Sequence, residues 1–244
     1  MLVNKIDHLL IILIAIVFPL YSIIIWHKRD RLRLKAGKTD ALVHYYRTTI
    51  IELWLLTLVI LTWWFWAERT LAGIGFGLPS GWAFWIGMAV FVTVAVFLVR
   101  QIKTVRSSAK TRAQLQKQLT GNTALLVPRN DIERKYAIIV SFTAGICEEV
   151  LFRAFIMWYL MNWLPGYVAV GVSALVFGIA HIYQGLVGAV KAIAAGVILG
   201  LAYLLTGSLW VPIALHVTID VTSLLTSSIA LTFKESVNEN RESD

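Results

Sequence analysis

The sequence predicts an all-α fold, a polytopic transmembrane helix bundle of about seven spans. Hydrophobic residues make up 58% of the 244 residues and the mean hydropathy is +0.73, whereas soluble domains are roughly 45–50% apolar. Apolar stretches of about 20 residues, enough to cross roughly 30 Å of hydrocarbon, recur along the chain. They are continuous and not alternating, which favours helices over a barrel.

The predicted spans follow one another with short or basic connections. They cover residues 9–26, 48–67, 82–99, 136–160, 165–182, 185–205 and 209–233. Trp and Tyr cluster near several of their ends, where amphipathic rings lie at headgroup depth. Basic residues follow the first stretch and no small-residue cleavage site is present, so we expect a retained anchor and not a signal peptide.

The net charge of +8 comes mainly from two connections. Residues 27–47 and 100–135 hold sixteen of the 22 Lys and Arg, so the positive-inside rule places both in the cytoplasm, with the N-terminus outside and the C-terminal tail inside. This topological distribution argues for a lipid bilayer as partner and against nucleic acid. We expect a multi-pass protein of a bacterial cytoplasmic membrane.

Four regions are predicted along the chain. They are a three-span region (1–100), a basic cytoplasmic connection (101–135), a core that carries the buried ionisable residues (136–233) and a polar C-terminal tail (234–244). The connection is expected to form a helix on the cytoplasmic leaflet. Asn130 and Glu133 resemble a capping box, so a helix should begin there.

Ionisable residues inside the spans are concentrated after residue 135. A charge at bilayer depth costs at least about 2.5–3.5 kcal/mol, so each one is a candidate for function. The candidates are Glu148, Glu149, Arg153, His181, Lys191, His216 and Asp220. Glu52, close to a cytoplasmic end, is interpreted as interfacial.

Two adjacent acids on the fourth span are predicted to have different roles. Glu149 and Arg153 are four residues apart, so they share a helix face and can form an ion pair that supports the site. Glu148 lies about 100° around the helix and has no obvious partner there. Desolvation favours the neutral form of such a carboxyl group, which suits a general base that works near neutrality.

Two histidines complete the set of candidates. The ring of Phe177 can pack under His181, one turn away, and Asp220 can fix the tautomer of His216 at the same spacing. Counted along the helices, His181 lies only about 9 Å from the cytoplasmic end of its span, against roughly 18–20 Å for the other candidates. Helix tilt or a displaced fifth span would remove this mismatch.

The chemistry of Glu148, His181, His216 and Asp220 suits either activation of water or capture of a divalent metal such as zinc. The zinc-protease motif H-E-x-x-H is absent. A nucleophilic role for Cys147 is disfavoured because a buried thiol is inert.

The motifs E-E-x-x-x-R, F-x-x-x-H and H-x-x-x-D, in this order on successive spans, resemble the CPBP family of CAAX proteases and bacteriocin-immunity proteins. The resemblance covers about residues 136–225 and implies a membrane endopeptidase acting on a membrane-associated peptide or protein. It implies that Glu148 and His181 activate water and that His216 and Asp220 stabilise the oxyanion. Relatives often have Asn at the last position, and an Asp must be protonated to donate. The family is described both as metalloprotease and as glutamate-dependent, so zinc and a metal-free mechanism both stay open.

Two other functions fit the same residues. An immunity or scaffold protein could keep the site and act by binding a toxin or partner. A proton-coupled transporter could use buried Glu, His and Asp as a relay, but the polar groups lie on three helices and form no line from face to face.

Overall fold

The computed structural model describes residues 3–38, 40–77, 81–119 and 121–242, without the side chains of 233–242. Within these ranges the chain is helical and contains no strand, which confirms the all-α class. Five helices are long and apolar enough to cross a membrane: Lys5–Lys35, Ala41–Trp66, Trp82–Ser107, Leu186–Thr206 and Trp210–Thr232. Helices at 131–160 and Gly166–Ala180 correspond to the fourth and fifth predicted spans.

The helices are numbered in chain order. They are α1 (Lys5–Lys35), α2 (Ala41–Trp66), α3 (Trp82–Ser107), α4 (Ala109–Gln118), α5 (Gly121–Leu125), α6 (131–160), α7 (Gly166–Ala180), α8 (Leu186–Thr206) and α9 (Trp210–Glu242). Short 3-10 turns lie at Leu71–Ile74 and Ile182–Gln184. The basic connection thus contains two short helices, α4 and α5, where the sequence predicted one.

Helix α6 lies at the centre of the bundle. It packs against α2 and α9, while α7 packs against α8 and α3 against α9. The largest buried apolar cluster includes residues 151, 152 and 154–158, and side chains of α1, α2 and α7 pack onto it. A Cβ atom at Gly145 would lie 3.0 Å from the backbone nitrogen of Val217, so α6 and α9 approach closely just before the two acids of α6.

The start of α6 is fixed by side-chain caps. The side chain of Asn130 accepts a hydrogen bond from the backbone N–H of Glu133 at 2.9 Å. The carboxylate of Glu133 accepts from the N–H of Arg129 at 2.7 Å, one residue before the cap. The helix therefore begins where the sequence predicted, with the acid returning one residue earlier than in a capping box.

A buried ion pair joins α1 to the segment after α2. Asp7 accepts hydrogen bonds from both terminal nitrogens of Arg69, at 2.7 and 2.5 Å, and both side chains are buried. The guanidinium lies 4.3 Å from the ring centre of Trp158 on α6. The first helix is thus bound to the central one at the end opposite the basic connections.

The backbone of α9 continues to Glu242, through most of the predicted tail. The side chains of that tail, 234–244, lie outside the described residues. The division of the chain into four regions stays a prediction.

Candidate active site

The two acids of α6 stand where this helix changes its winding. Glu148 is the last residue of an α-helical segment, and a π-helical segment covers Glu149–Ile156, all of it buried. Such segments are rare and frequently occur at functional sites; α1 contains two shorter ones, Leu13–Val17 and Trp26–Asp30. No residue type marks this change of winding, so it could not be predicted from the sequence.

Glu149 and its partner Arg153 together join three helices. The Oε1 atom of Glu149 accepts a hydrogen bond from Nη1 of Arg153 at 2.9 Å, so the ion pair expected from the spacing forms. The same atom lies 2.7 Å from Nδ1 of His216 on α9. Arg153 also donates to the carbonyl of Gly196 on α8. The sequence indicated the first of these contacts and neither of the others, since both are made to distant parts of the chain.

The contact from Glu149 sets the tautomer of His216. An ionised carboxylate can only accept, so Nδ1 carries a proton and Nε2 faces the remaining candidates. Asp220 was expected to make this hydrogen bond, but its Oδ2 lies 3.6 Å from Nε2 and not near Nδ1. The orienting carboxylate of His216 is therefore Glu149.

Glu148 lies between the two histidines. Its Oε2 is 3.7 Å from Nε2 of His216 and 4.0 Å from Nε2 of His181. Within the described part of the chain this oxygen is buried and has no hydrogen-bond partner. A buried acceptor of this kind calls for a water or a ligand between the groups.

His181 immediately follows α7, whose 15 residues span about 22 Å. The fifth span is thus shorter than predicted, and His181 reaches the depth of Glu148 although it lies near the end of its helix. Its Nδ1 donates to the carbonyl of Phe177 at 2.8 Å, which leaves Nε2 as the acceptor facing Glu148.

The ring of Phe177 packs against both His181 and Arg153. Its ring centre lies 4.4 Å from that of His181, as the spacing predicted. The guanidinium of Arg153 lies over the same ring at 4.6 Å. The aromatic ring therefore holds the imidazole and the Arg153–Glu149 pair in one packed layer.

The four candidates differ in exposure. The side chains of Glu148, His181 and His216 are 13%, 15% and 7% exposed, whereas that of Asp220 is 37% exposed. Asp220 therefore stands at the rim of the group and the other three stand inside it.

The donor types of this group suit zinc, but their spacing is wide. Two donors bound at 2.0–2.1 Å to one tetrahedral ion are separated by roughly 3.3 Å, against 3.7 and 4.0 Å here. In the described ranges, no three His, Cys, Asp or Glu side chains form a group able to hold a metal ion. These side chains do not fit around a single ion as they stand.

A cavity of about 70 Å³ lies between the site and the first two helices. Its wall includes Glu148 and His181 from the site and Trp26 and Glu52 from α1 and α2. Glu52, interpreted as interfacial, accepts a hydrogen bond from Tyr21 at 3.0 Å and belongs to this wall. Sequence reasoning missed the role of α1 and α2 because they carry no motif.

Comparison with known proteins gives one match. Residues 134–222 match the family model of the Rce1-like type II CAAX prenyl endopeptidases. The matched segment, a little over a third of the chain, contains the candidates Glu148, Glu149, Arg153, His181, His216 and Asp220. No curated protein and no solved structure matches the chain.

Proposed function

We propose that this chain, whose residues 134–222 form a domain of the CAAX-protease family, is an integral membrane endopeptidase that hydrolyses a peptide bond with water activated by Glu148. The observation that carries the proposal is the unpartnered carboxylate oxygen of Glu148, which faces the Nε2 atoms of two histidines. The substrate is a membrane-associated peptide or protein.

The water is held between Glu148 and His181. Nδ1 of His181 is committed to the carbonyl of Phe177, so Nε2 is free to accept a hydrogen bond from the water. Glu148 takes the proton of that water as it attacks the scissile carbonyl, and then returns it to the leaving amine. The surrounding apolar residues strengthen this transfer by excluding bulk water.

The developing oxyanion is stabilised from α9. Nδ1–H of His216 donates to Glu149, and the carboxylates of Glu148, Glu149 and Asp220 around the ring favour its doubly protonated, imidazolium form. In that form Nε2 also carries a proton and provides a donor at the position that the carbonyl oxygen reaches. Asp220, at the rim, orients the peptide, or donates a second hydrogen bond when it is protonated. A positioned donor of this kind contributes roughly 10²–10³ in rate.

These steps use only side chains of the chain. A divalent ion held by Glu148, His181 and His216 would instead polarise the scissile carbonyl, and it would require these groups to move closer together. Metal analysis of the purified protein, together with activity before and after chelation, distinguishes the two mechanisms.

The test is hydrolysis of a membrane-peptide library by the purified full-length chain in nanodiscs, with products identified by mass spectrometry. Wild type is compared with Glu148→Gln, which keeps the shape of the side chain and removes the base. The matched control is Glu68→Gln, an exposed acid outside the site. We expect Glu148→Gln to lower the rate by at least about 10²-fold and the control to leave it unchanged.

Equal products from wild type and Glu148→Gln would refute the proposal. A folded wild type that cleaves nothing, while Glu148→Gln still protects cells from a toxin, would favour the immunity function. The substrate sequences recovered from the library separate prenylated C-terminal peptides from leader or precursor peptides.

A further inference from the structure

The wall of the cavity beside the site contains both exposed and buried residues. Tyr21 is 42% exposed and the side chain of Arg29 is 36% exposed. Glu148 and His181, whose side chains are 13% and 15% exposed, belong to the same wall. The outer wall belongs to α1 and α2, which lie outside the segment matched by the family model.

The wall of the cavity is mostly apolar but carries several polar side chains. Hydroxyl and charged side chains in the wall include Tyr21, Ser22, Arg29, Asp30, Tyr45, Thr48, Thr49 and Glu52. Arg29 and Asp30 form an ion pair at 2.7 Å. Polar side chains at membrane depth are stable when they pair with one another, as Tyr21 and Glu52 also do, or when they face water.

Trp26 adds an independent observation. This residue lines the cavity and is 2% exposed, and its indole N–H has no hydrogen-bond partner among the described residues. Glu148, an acceptor without a partner, lines the same cavity. An unsatisfied donor and an unsatisfied acceptor on one cavity are both satisfied by water, which donates and accepts.

The size and position of the cavity favour water over peptide. A volume of about 70 Å³ holds a few water molecules, whereas ligand pockets measure roughly 300–1,000 Å³. His216 and Asp220 do not belong to the wall of this cavity, and the side chain of Asp220 is 37% exposed outside it. The cavity can therefore supply water while the peptide contacts Asp220 outside the cavity.

We propose that the cavity between α1, α2 and the site is the inlet for the hydrolytic water, and that Trp26 is a positioning residue that holds the water next to Glu148. This inference rests on the proposed function, because it assigns a source to the water which that function consumes. The first two helices then take part in the reaction although they carry none of the family motifs.

The test is chemical modification of a cysteine placed in the cavity wall. Ser22→Cys puts a thiol in the wall, and Ile24→Cys, on the same helix, puts one on the 50% exposed apolar surface as the matched control. Modification of the wild-type protein measures the background reaction of its single, buried cysteine, Cys147. The reagent is a methanethiosulfonate ethylammonium, which reacts with ionised thiols in water, applied to the full-length protein in nanodiscs.

We expect Ser22→Cys to be modified at least tenfold faster than Ile24→Cys. Modification should then lower kcat at least tenfold with KM changed less than twofold, and reduction of the mixed disulfide should restore kcat. Equal modification rates would overturn the proposal because the cavity would be dry. A rise in KM at unchanged kcat would also overturn it, since the cavity would then admit peptide.

The modification rate is measured without any turnover. A protein that hydrolyses no peptide but shows fast modification at Ser22→Cys would refute the proposed function and leave the hydrated cavity in place. The two failures are therefore distinguishable.

Discussion

Replacing Glu149 by Leu removes a carboxylate that has two contacts, one to Arg153 and one to His216. Loss of the first contact leaves the guanidinium of Arg153, 1% exposed, without its counter-charge. Breaking a buried pair by removal of one partner costs about 3–5 kcal/mol. Loss of the second contact frees His216 to rotate, and loss of an orienting hydrogen bond of this kind lowers activity roughly 10–100-fold.

The two effects separate in the double variant Glu149→Leu/Arg153→Met. Replacing both members of a buried pair by apolar side chains is often nearly neutral for stability. We therefore expect the free energy of unfolding of the double variant to return to within about 1–2 kcal/mol of wild type. Its hydrolytic rate should stay roughly 10–100-fold low because Nδ1 of His216 still has no acceptor.

The assay is unfolding in mixed detergent micelles together with initial rates on a peptide recovered from the library, for wild type, both single variants and the double variant. The order expected for stability is wild type and double variant above both single variants. A double variant that regains both stability and full activity would refute the reasoning, since Glu149 would then act only through Arg153.

Three further predictions concern other parts of the molecule. Asp220→Asn keeps a hydrogen-bond donor at the rim, so its rate of hydrolysis should stay within tenfold of wild type. Initial rates for Asp220→Ala should fall at least tenfold below those of Asp220→Asn. Equal rates for the two variants would show that Asp220 takes no part in the reaction. Gly145→Ala puts a Cβ within 3.0 Å of the backbone of Val217, so overpacking should lower the free energy of unfolding by about 1–3 kcal/mol in the micelle assay. It should also lower kcat, because it separates α6 from α9. Unchanged stability and rate would contradict the close approach of the two helices. Asp7→Asn breaks the buried pair with Arg69, so the free energy of unfolding should fall by about 3–5 kcal/mol. The kcat per folded molecule should not change. A lower kcat in fully folded protein would contradict this and show that this end of the bundle influences the site.

The sequence alone determined the class of the molecule and the identity of its candidate residues. Composition and the length of the apolar stretches were sufficient for an all-α membrane bundle, because a spanning segment must satisfy its own backbone hydrogen bonds. Spacing within one helix predicted the Glu149–Arg153 pair and the packing of Phe177 on His181, since residues four apart share a face. The start of α6 could be predicted from Asn130, because a helix cap is an interaction between residues close in sequence.

The tertiary structure decided which of these residues meet across helices. The hydrogen bond from His216 to Glu149 joins residues 67 positions apart, and no periodicity within a helix predicts such a contact. The early end of α7 leaves His181 just after the helix, with Nε2 4.0 Å from Oε2 of Glu148 on α6. The part that α1 and α2 take in the cavity also had no sequence signal, because wall residues need only the right position and polarity. Interactions within one helix can be predicted from the spacing of residues in the sequence, whereas contacts between helices depend on how the whole bundle packs.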